Sequence, residues 1–261
     1  MGSSWGCELL PESRYVWRAR NPGHTHRLIC FPHAGAGASA FAGWAGLLPP
    51  GTELVAVQLP GRQNRVAEEP FSESGPLVTA LLHALRPEFG GAFSFFGHSG
   101  GAALAYELTC ALRARGRPGP EHLFLSAQPA PGTTGIRRLH HLPDDEFLAE
   151  VLALGGIDPE LSGDPDAIAL LLPLLRTDFG LWERDPPARK DPLECPVTVL
   201  CGESDPRAPL TSVTGWESAT TGEFRIRVFP GGHFYFHDAA AEVVSFIGDT
   251  MLAATTGRRN A

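Results

Sequence analysis

Ser99 lies in the stretch FFGHSGGAALAYEL, residues 95 to 108, where Gly97, Ser99 and Gly101 form a GxSxG pattern. A serine on a sharp strand-to-helix turn presents its hydroxyl for nucleophilic attack, and small flanking residues let strand and helix approach closely. In a chain with 30 glycines the pattern alone carries little weight. Its flanks carry more, because the apolar run AFSFF precedes it and the helix-type run GAALAYEL follows. A serine hydroxyl needs a base to take its proton and an acid to orient that base. Asp205, in VTVLCGESDP, and His233, in RIRVFPGGHFYF, come next in the order Ser, Asp, His, each just past a strand-type run. Each also has a plainer reading: Asp205 before Pro206 starts turns, and a lone histidine is often structural. Asp178, Asp185 and Asp238 are rival acids, the first two in a helical segment and the third at the start of the last helix, where a cap fits. His98, His140, His141 and His237 read as structural or solvent-exposed. Three groups at three strand ends point together to acyl transfer through a serine.

Such chemistry also needs two N–H donors for the oxyanion. Gly100, directly after the serine, supplies one, and the small-residue loop CFPHAGAGAS supplies the other through Ala34 or His33. The same loop also reads as a plain glycine-rich connection. A nucleotide-binding reading of it is weak, since no Walker lysine follows and GAGAS does not fit GxGxxG.

These groups must be held by strands. RLICF, ELVAVQL, FSFF, HLFLSA, VTVLC and RIRVF are short runs rich in β-branched and aromatic residues, each followed by turn residues. Several are apolar almost throughout, as strands covered on both faces are. Helix-length segments such as GGAALAYELTCALRAR and AAAEVVSFIGDTMLAA lie between or after them, which predicts an α/β, doubly wound, mostly parallel sheet. Residues of about 139–185 contain two helical patterns with no strand between them, the second opening after an acidic, proline-containing turn. This is either a helical insertion covering one end of the sheet or an ordinary crossover pair; its length favours the cover.

With 261 residues the chain suits one domain, 1–261, that buries a sizeable core. A net charge of −8 argues against a general nucleic-acid binder. No apolar run reaches a membrane-spanning length and no export signal is seen, so a cytoplasmic location is expected. The five cysteines (Cys7, Cys30, Cys110, Cys195, Cys201) are an odd number, read as reduced thiols rather than disulfides or metal ligands.

LICFPHAGAGAS, VAVQLPGRQNR, FFGHSGGAALAYELT, the segment LPDDEFLAEVLALGG with LLLPLLRTDF, CPVTVLCGESDP and FPGGHFYF together resemble the type II thioesterases that accompany polyketide and nonribosomal peptide synthases, over about residues 15 to 250. That resemblance implies an α/β-hydrolase fold with a mobile helical lid. It also implies hydrolysis of acyl thioesters on the phosphopantetheine arm of acyl or peptidyl carrier proteins, to clear stalled acyl groups or release an intermediate. Ser99 would be nucleophile, His233 base and acid, and Asp205 its orienting carboxylate, with no metal or redox cofactor of the protein's own. A monomer is expected, and docking on an acidic carrier would use Arg62, Arg65, Arg137 or Arg138, or apolar contact. The family commonly has methionine where this chain has Gly100, and AGG where this chain reads AGAGAS. A carboxylesterase or acyltransferase on the same scaffold, and a non-catalytic carrier-binding accessory protein, are the competing readings.

Overall fold

A computed structural model of the chain describes residues 8–157 and 159–259; Cys7 lies outside them. Eight strands form one mixed sheet: β1 (Leu10–Pro11), β2 (Val16–Ala19), β3 (His26–Phe31), β4 (Thr52–Val57), β5 (Ala92–His98), β6 (Leu123–Ser126), β7 (Val197–Gly202) and β8 (Phe224–Phe229). Their spatial order is β1-β2-β4-β3-β5-β6-β7-β8. From β4 to β8 every pairing is parallel, whereas β1 with β2 and β2 with β4 are antiparallel.

All six apolar runs are strands. The antiparallel pair at the edge is an addition whose signal is broken by Arg18. That guanidinium is buried, and it bonds Glu12 at 2.7 Å, Glu53 at 2.6 Å and Glu88 at 2.7 Å. A buried arginine with three carboxylates is satisfied, but by itself it reads as a surface residue.

Helices α1 (Ser74–Ala84) and α2 (Gly100–Ala114) cover one face, and α8 (Ala240–Arg259) the other. Alternation along each strand divides its side chains between them. Ile29, Val55, Phe95 and Val199 pack with Leu81, Leu104 and Leu108, while Leu28, Leu54, Phe96 and Leu200 pack with Val243, Val244 and Ile247. Strand β8 is the exception, with Arg225 and Arg227 on the exposed edge, where charge discourages pairing with another sheet.

Between β6 and β7 the chain forms three helices rather than two: α3 (Asp144–Ala153), the single turn α4 (Pro159–Ser162) and α5 (Pro165–Arg184). The acidic, proline-containing turn acts as read: Asp164 caps α5 by accepting from the N–H groups of Asp166 and Ala167, and Pro165 takes the first helical position. Leu139, Phe147, Val151 and Leu175 give this segment its own small core. Two short helices follow, α6 (Leu210–Val213) and α7 (Tyr235–Asp238).

Candidate active site

Strand β5 ends at His98 and α2 begins at Gly100, so Ser99 occupies the turn between them with φ 54° and ψ −124°. Positive φ in a non-glycine residue costs on the order of 1–3 kcal/mol and persists only where its surroundings enforce it. Here the glycines on either side permit the enforcement. A Cβ on Gly97 would lie 2.2 Å from the Gly101 carbonyl oxygen, and one on Gly101 would lie 2.2 Å from that of Phe31. The Ser99 N–H donates to the Ser126 carbonyl at the end of β6, at 2.7 Å.

The other two members reach the same point from β7 and β8. A Cβ on Gly202 would meet the Gly232 carbonyl at 2.1 Å, which records how closely the two loops pack. His233 is buried, with Nε2 3.1 Å from Ser99 Oγ and Nδ1 2.9 and 3.0 Å from the Asp205 oxygens. Because the carboxylate accepts, Nδ1 carries the proton and Nε2 is left free to take one from serine. Asp205 also starts a turn, its Oδ1 accepting from the N–H groups of Arg207 at 2.8 Å and Ala208 at 3.1 Å. The plain reading of Asp-Pro and the orienting role therefore coexist.

The rival groups are engaged elsewhere. Asp178 bonds Arg62 and the Gly35 N–H, and Asp185 accepts from Ser74. Asp238 closes the short helix α7 instead of capping α8, which corrects the cap expected for it. His98 is buried against Ser126 at 2.8 Å, His140 bonds Glu183, and His141 and His237 are exposed. Burial holds the His98 ring well below the usual histidine range and pushes His33 down to about 3, so both are neutral.

Among the described residues, cavities border Ser99 on two sides. The larger, of about 610 Å³, is lined by Ala34, Gly100, Phe179, Trp182, Arg138 and Arg207, among others. A recess of about 20 Å³ is lined by apolar residues of the helical segment and by Phe234. Gly100 is the first residue of α2, where the N–H has no intrahelical partner. A side chain there is restricted, since a Cβ on Gly100 would lie 2.9 Å from Trp182 Cδ1 and 3.0 Å from its Nε1. Trp182 thus occupies the space beside the serine that a residue larger than glycine would need.

Two of the four arginines named for docking are not on the surface. Arg62 and Arg65 are 4 % and 5 % exposed, and they bond Asp178 and Glu68. Arg62 and Arg65 read as docking residues only because their carboxylate partners are out of sight in the sequence. Arg137 and Arg138 are exposed, the former paired with Glu150. Gln58, Trp182, Ser126 and Tyr235 also shape the site unforeseen, and Asp178, named as a rival acid, does so in another role. Two left a signal, Gln58 as a polar residue inside the run VAVQL and Asp178 as an acid inside LLPLLRTDFGLW.

The thioesterase domain pattern matches residues 26–251, which include strands β3 to β8 and Ser99, Asp205 and His233. The chain belongs to the thioesterase family. It is 39% identical over 232 residues to thioesterase PikA5 of Streptomyces venezuelae, covering 88% of this chain and 83% of that one. Among solved structures, the RedJ thioesterase of the prodiginine pathway in Streptomyces coelicolor is 38% identical with a TM-score of 0.80, covering 85% of this chain and 90% of its own. The type II thioesterase BorB of the borrelidin cluster is 33% identical with a TM-score of 0.82, covering 92% and 98%. The thioesterase described here has the α/β-hydrolase fold and is a hydrolase by family. No helix among its described residues is long and apolar enough to cross a membrane.

Proposed function

We propose that this protein is a type II thioesterase that hydrolyses acyl thioesters on the phosphopantetheine arm of acyl or peptidyl carrier proteins in polyketide or nonribosomal peptide biosynthesis. The observation that carries the reading is the Ser99–His233–Asp205 chain of hydrogen bonds opening onto a cavity of about 610 Å³, in a chain related to thioesterases of such pathways.

Ser99 Oγ attacks the thioester carbonyl carbon as His233 Nε2 takes its proton. The oxyanion is held by the N–H groups of Gly100 and Ala34. Collapse breaks the C–S bond, and the imidazolium returns the proton to the departing sulfur. A water molecule, deprotonated by His233, then attacks the acyl-serine, releasing the carboxylic acid and restoring Ser99. Asp205 keeps the ring oriented and balances its charge in both halves. The steps use only these side chains, water and the substrate's own arm, with no cofactor of the enzyme. Arg137 and Arg138, at the exposed end of the segment lining the cavity, suit the acidic face of a carrier. The free thiols of Cys30, Cys110, Cys195 and Cys201 favour a reducing, cytoplasmic setting.

The test is mass spectrometry of the intact protein after exposure to acyl-carrier thioesters, with steady-state hydrolysis of thioesters against matched oxygen esters. An acyl adduct on Ser99, its loss in Ser99→Ala, and a fall in kcat of about 10³-fold or more are expected. Unchanged turnover in Ser99→Ala, or faster hydrolysis of the oxygen esters, overturns the reading.

A further inference from the structure

The loop that follows β3 carries the second proposed oxyanion donor, and glycine-rich loops do not hold a backbone N–H in place unaided. Three buried polar side chains hold this one. Gln58, fully buried at the end of β4, accepts from the Ala38 N–H at 2.8 Å and donates to the Arg62 carbonyl at 3.0 Å. Arg62 donates through Nη1 to the Ala36 carbonyl at 3.2 Å. Asp178 Oδ2 accepts from the Gly35 N–H at 2.8 Å and from Arg62 Nη1 at 2.6 Å, while its Oδ1 accepts from Arg62 Nη2 at 3.0 Å. Both members of this two-pronged pair are less than a tenth exposed.

Asp178 does not come from the sheet. It belongs to α5, 143 residues further along the chain than the amide it holds. The fit around that amide is close as well: Gly35 has φ +76°, and a Cβ on it would lie 2.6 Å from Leu175 Cδ2, one turn earlier on α5. Gly35 and Ala36 directly follow Ala34, so a carboxylate on the Gly35 N–H and a guanidinium on the Ala36 carbonyl hold the Ala34–Gly35 and Ala36–Gly37 peptides, the first of them next in the chain to the His33–Ala34 peptide that carries the Ala34 N–H.

We infer that Asp178 is a positioning residue for hydrolysis, a carboxylate from the helical insertion that, with Arg62, sets the oxyanion loop by holding the Gly35 N–H. The inference rests on the catalytic reading proposed above and adds to it that the insertion is a working part of the site. Where α5 sits decides whether the loop is set, so displacement of α5 withdraws the acceptor from Gly35 and slows the chemical steps even with Ser99, His233 and Asp205 in place.

Removing one partner alone strands a buried charge, so the test exchanges the pair. R62M/D178L replaces both by apolar groups and leaves the Gly35 N–H without an acceptor, whereas R62M/D178N keeps a carboxamide oxygen for it. Hydrolysis of a propionyl N-acetylcysteamine thioester is measured for the full chain and both variants, with melting curves alongside. We expect kcat to fall about 100-fold in R62M/D178L, the size of effect seen when catalytic geometry slips by about 1 Å, with KM within about threefold. R62M/D178N should recover most of kcat, and the two variants should melt within a few degrees of one another. Should R62M/D178L fail to fold, Asp178→Glu, which keeps the charge but displaces it by one methylene, should lower kcat while leaving KM and folding intact. Equal kcat in both double variants, kcat that only tracks melting temperature, or an unaffected D178E overturns the inference alone. Failure of the parent protein to acylate at Ser99 overturns the function reading and this inference with it.

Discussion

Gly100→Ala tests how tightly the serine's surroundings are built. A methyl group at residue 100 stands 2.9 Å from Trp182 Cδ1, against about 3.5–4.0 Å for an ordinary carbon contact, so the indole edge must retreat by about 0.6 Å or more. Trp182 packs against the larger core cluster and sits one residue after the buried Leu181, which limits how far the ring can go. Overpacking of this kind costs about 1–3 kcal/mol. The exchange of glycine for alanine in a helix returns up to about 1 kcal/mol. The net loss is then about 0–3 kcal/mol, or a melting temperature lower by at most about 12 °C for a domain of this size.

The effect on rate should exceed the effect on stability, because the displaced ring lines the cavity beside Ser99. A shift of about half an ångström there should lower kcat/KM for a short acyl thioester about tenfold. Trp182→Phe removes the indole edge that clashes while keeping an aromatic ring against the core. G100A in a W182F background should therefore cost far less, with a coupling free energy of about 1 kcal/mol or more in a double-mutant cycle. Released thiol gives kcat/KM, and circular dichroism gives the melts. If the two substitutions are additive, or if G100A hydrolyses as fast as the parent, the contact does not shape the site.

Lowering the pH should destabilise the protein through its buried neutral histidines. His33 titrates near 3 when folded, pressed down first by burial and then by His237, His233 and Arg62, against about 6.5 unfolded. Below about pH 6.5 the unfolded chain binds the extra proton, so stability is flat above neutrality and falls by about 2 kcal/mol from this one group by pH 5. Urea midpoints at pH 7.5 and 5.0 should show that fall, and His33→Gln should reduce it. Gly101→Ala drives a Cβ to 2.2 Å from the Phe31 carbonyl and 2.6 Å from that of Pro32, backbone on both counts, and should cost more than about 4 kcal/mol. A cooperative melt near the parent temperature would count against so close a strand-helix approach. Arg138→Glu should raise KM for a carrier-borne thioester about fivefold more than for a small thioester, since the side chain is exposed at the cavity rim; equal changes for both substrates would place carrier docking elsewhere.

Much of this site was legible in the sequence because its members announce themselves locally. Ser99, Asp205 and His233 each stand directly after an apolar run and beside glycine or proline, so their placement needs only the rule that strand ends of a parallel sheet converge. Two structural details stayed hidden for a shared reason. The strand Val16–Ala19 hides behind Arg18, and Arg62 and Arg65 read as docking residues, because an arginine in sequence looks exposed until its carboxylate is found. Glu88 is 70 residues from Arg18, and Asp178 is 116 from Arg62.

Polar groups that are buried must be paired, and pairing is the property a single sequence expresses least. The rule can be run in reverse. A polar residue inside an apolar run, such as Gln58 in VAVQL or Asp178 in LLPLLRTDFGLW, has no cheap place on a buried face unless a partner is waiting. Both of these meet at one loop, the one proposed to carry an oxyanion donor. The misfits to hydrophobic patterning therefore mark where the scaffold is fastened to the chemistry. The insertion helix, read from sequence as a cover or a crossover, holds through Asp178 the loop proposed to carry the donor.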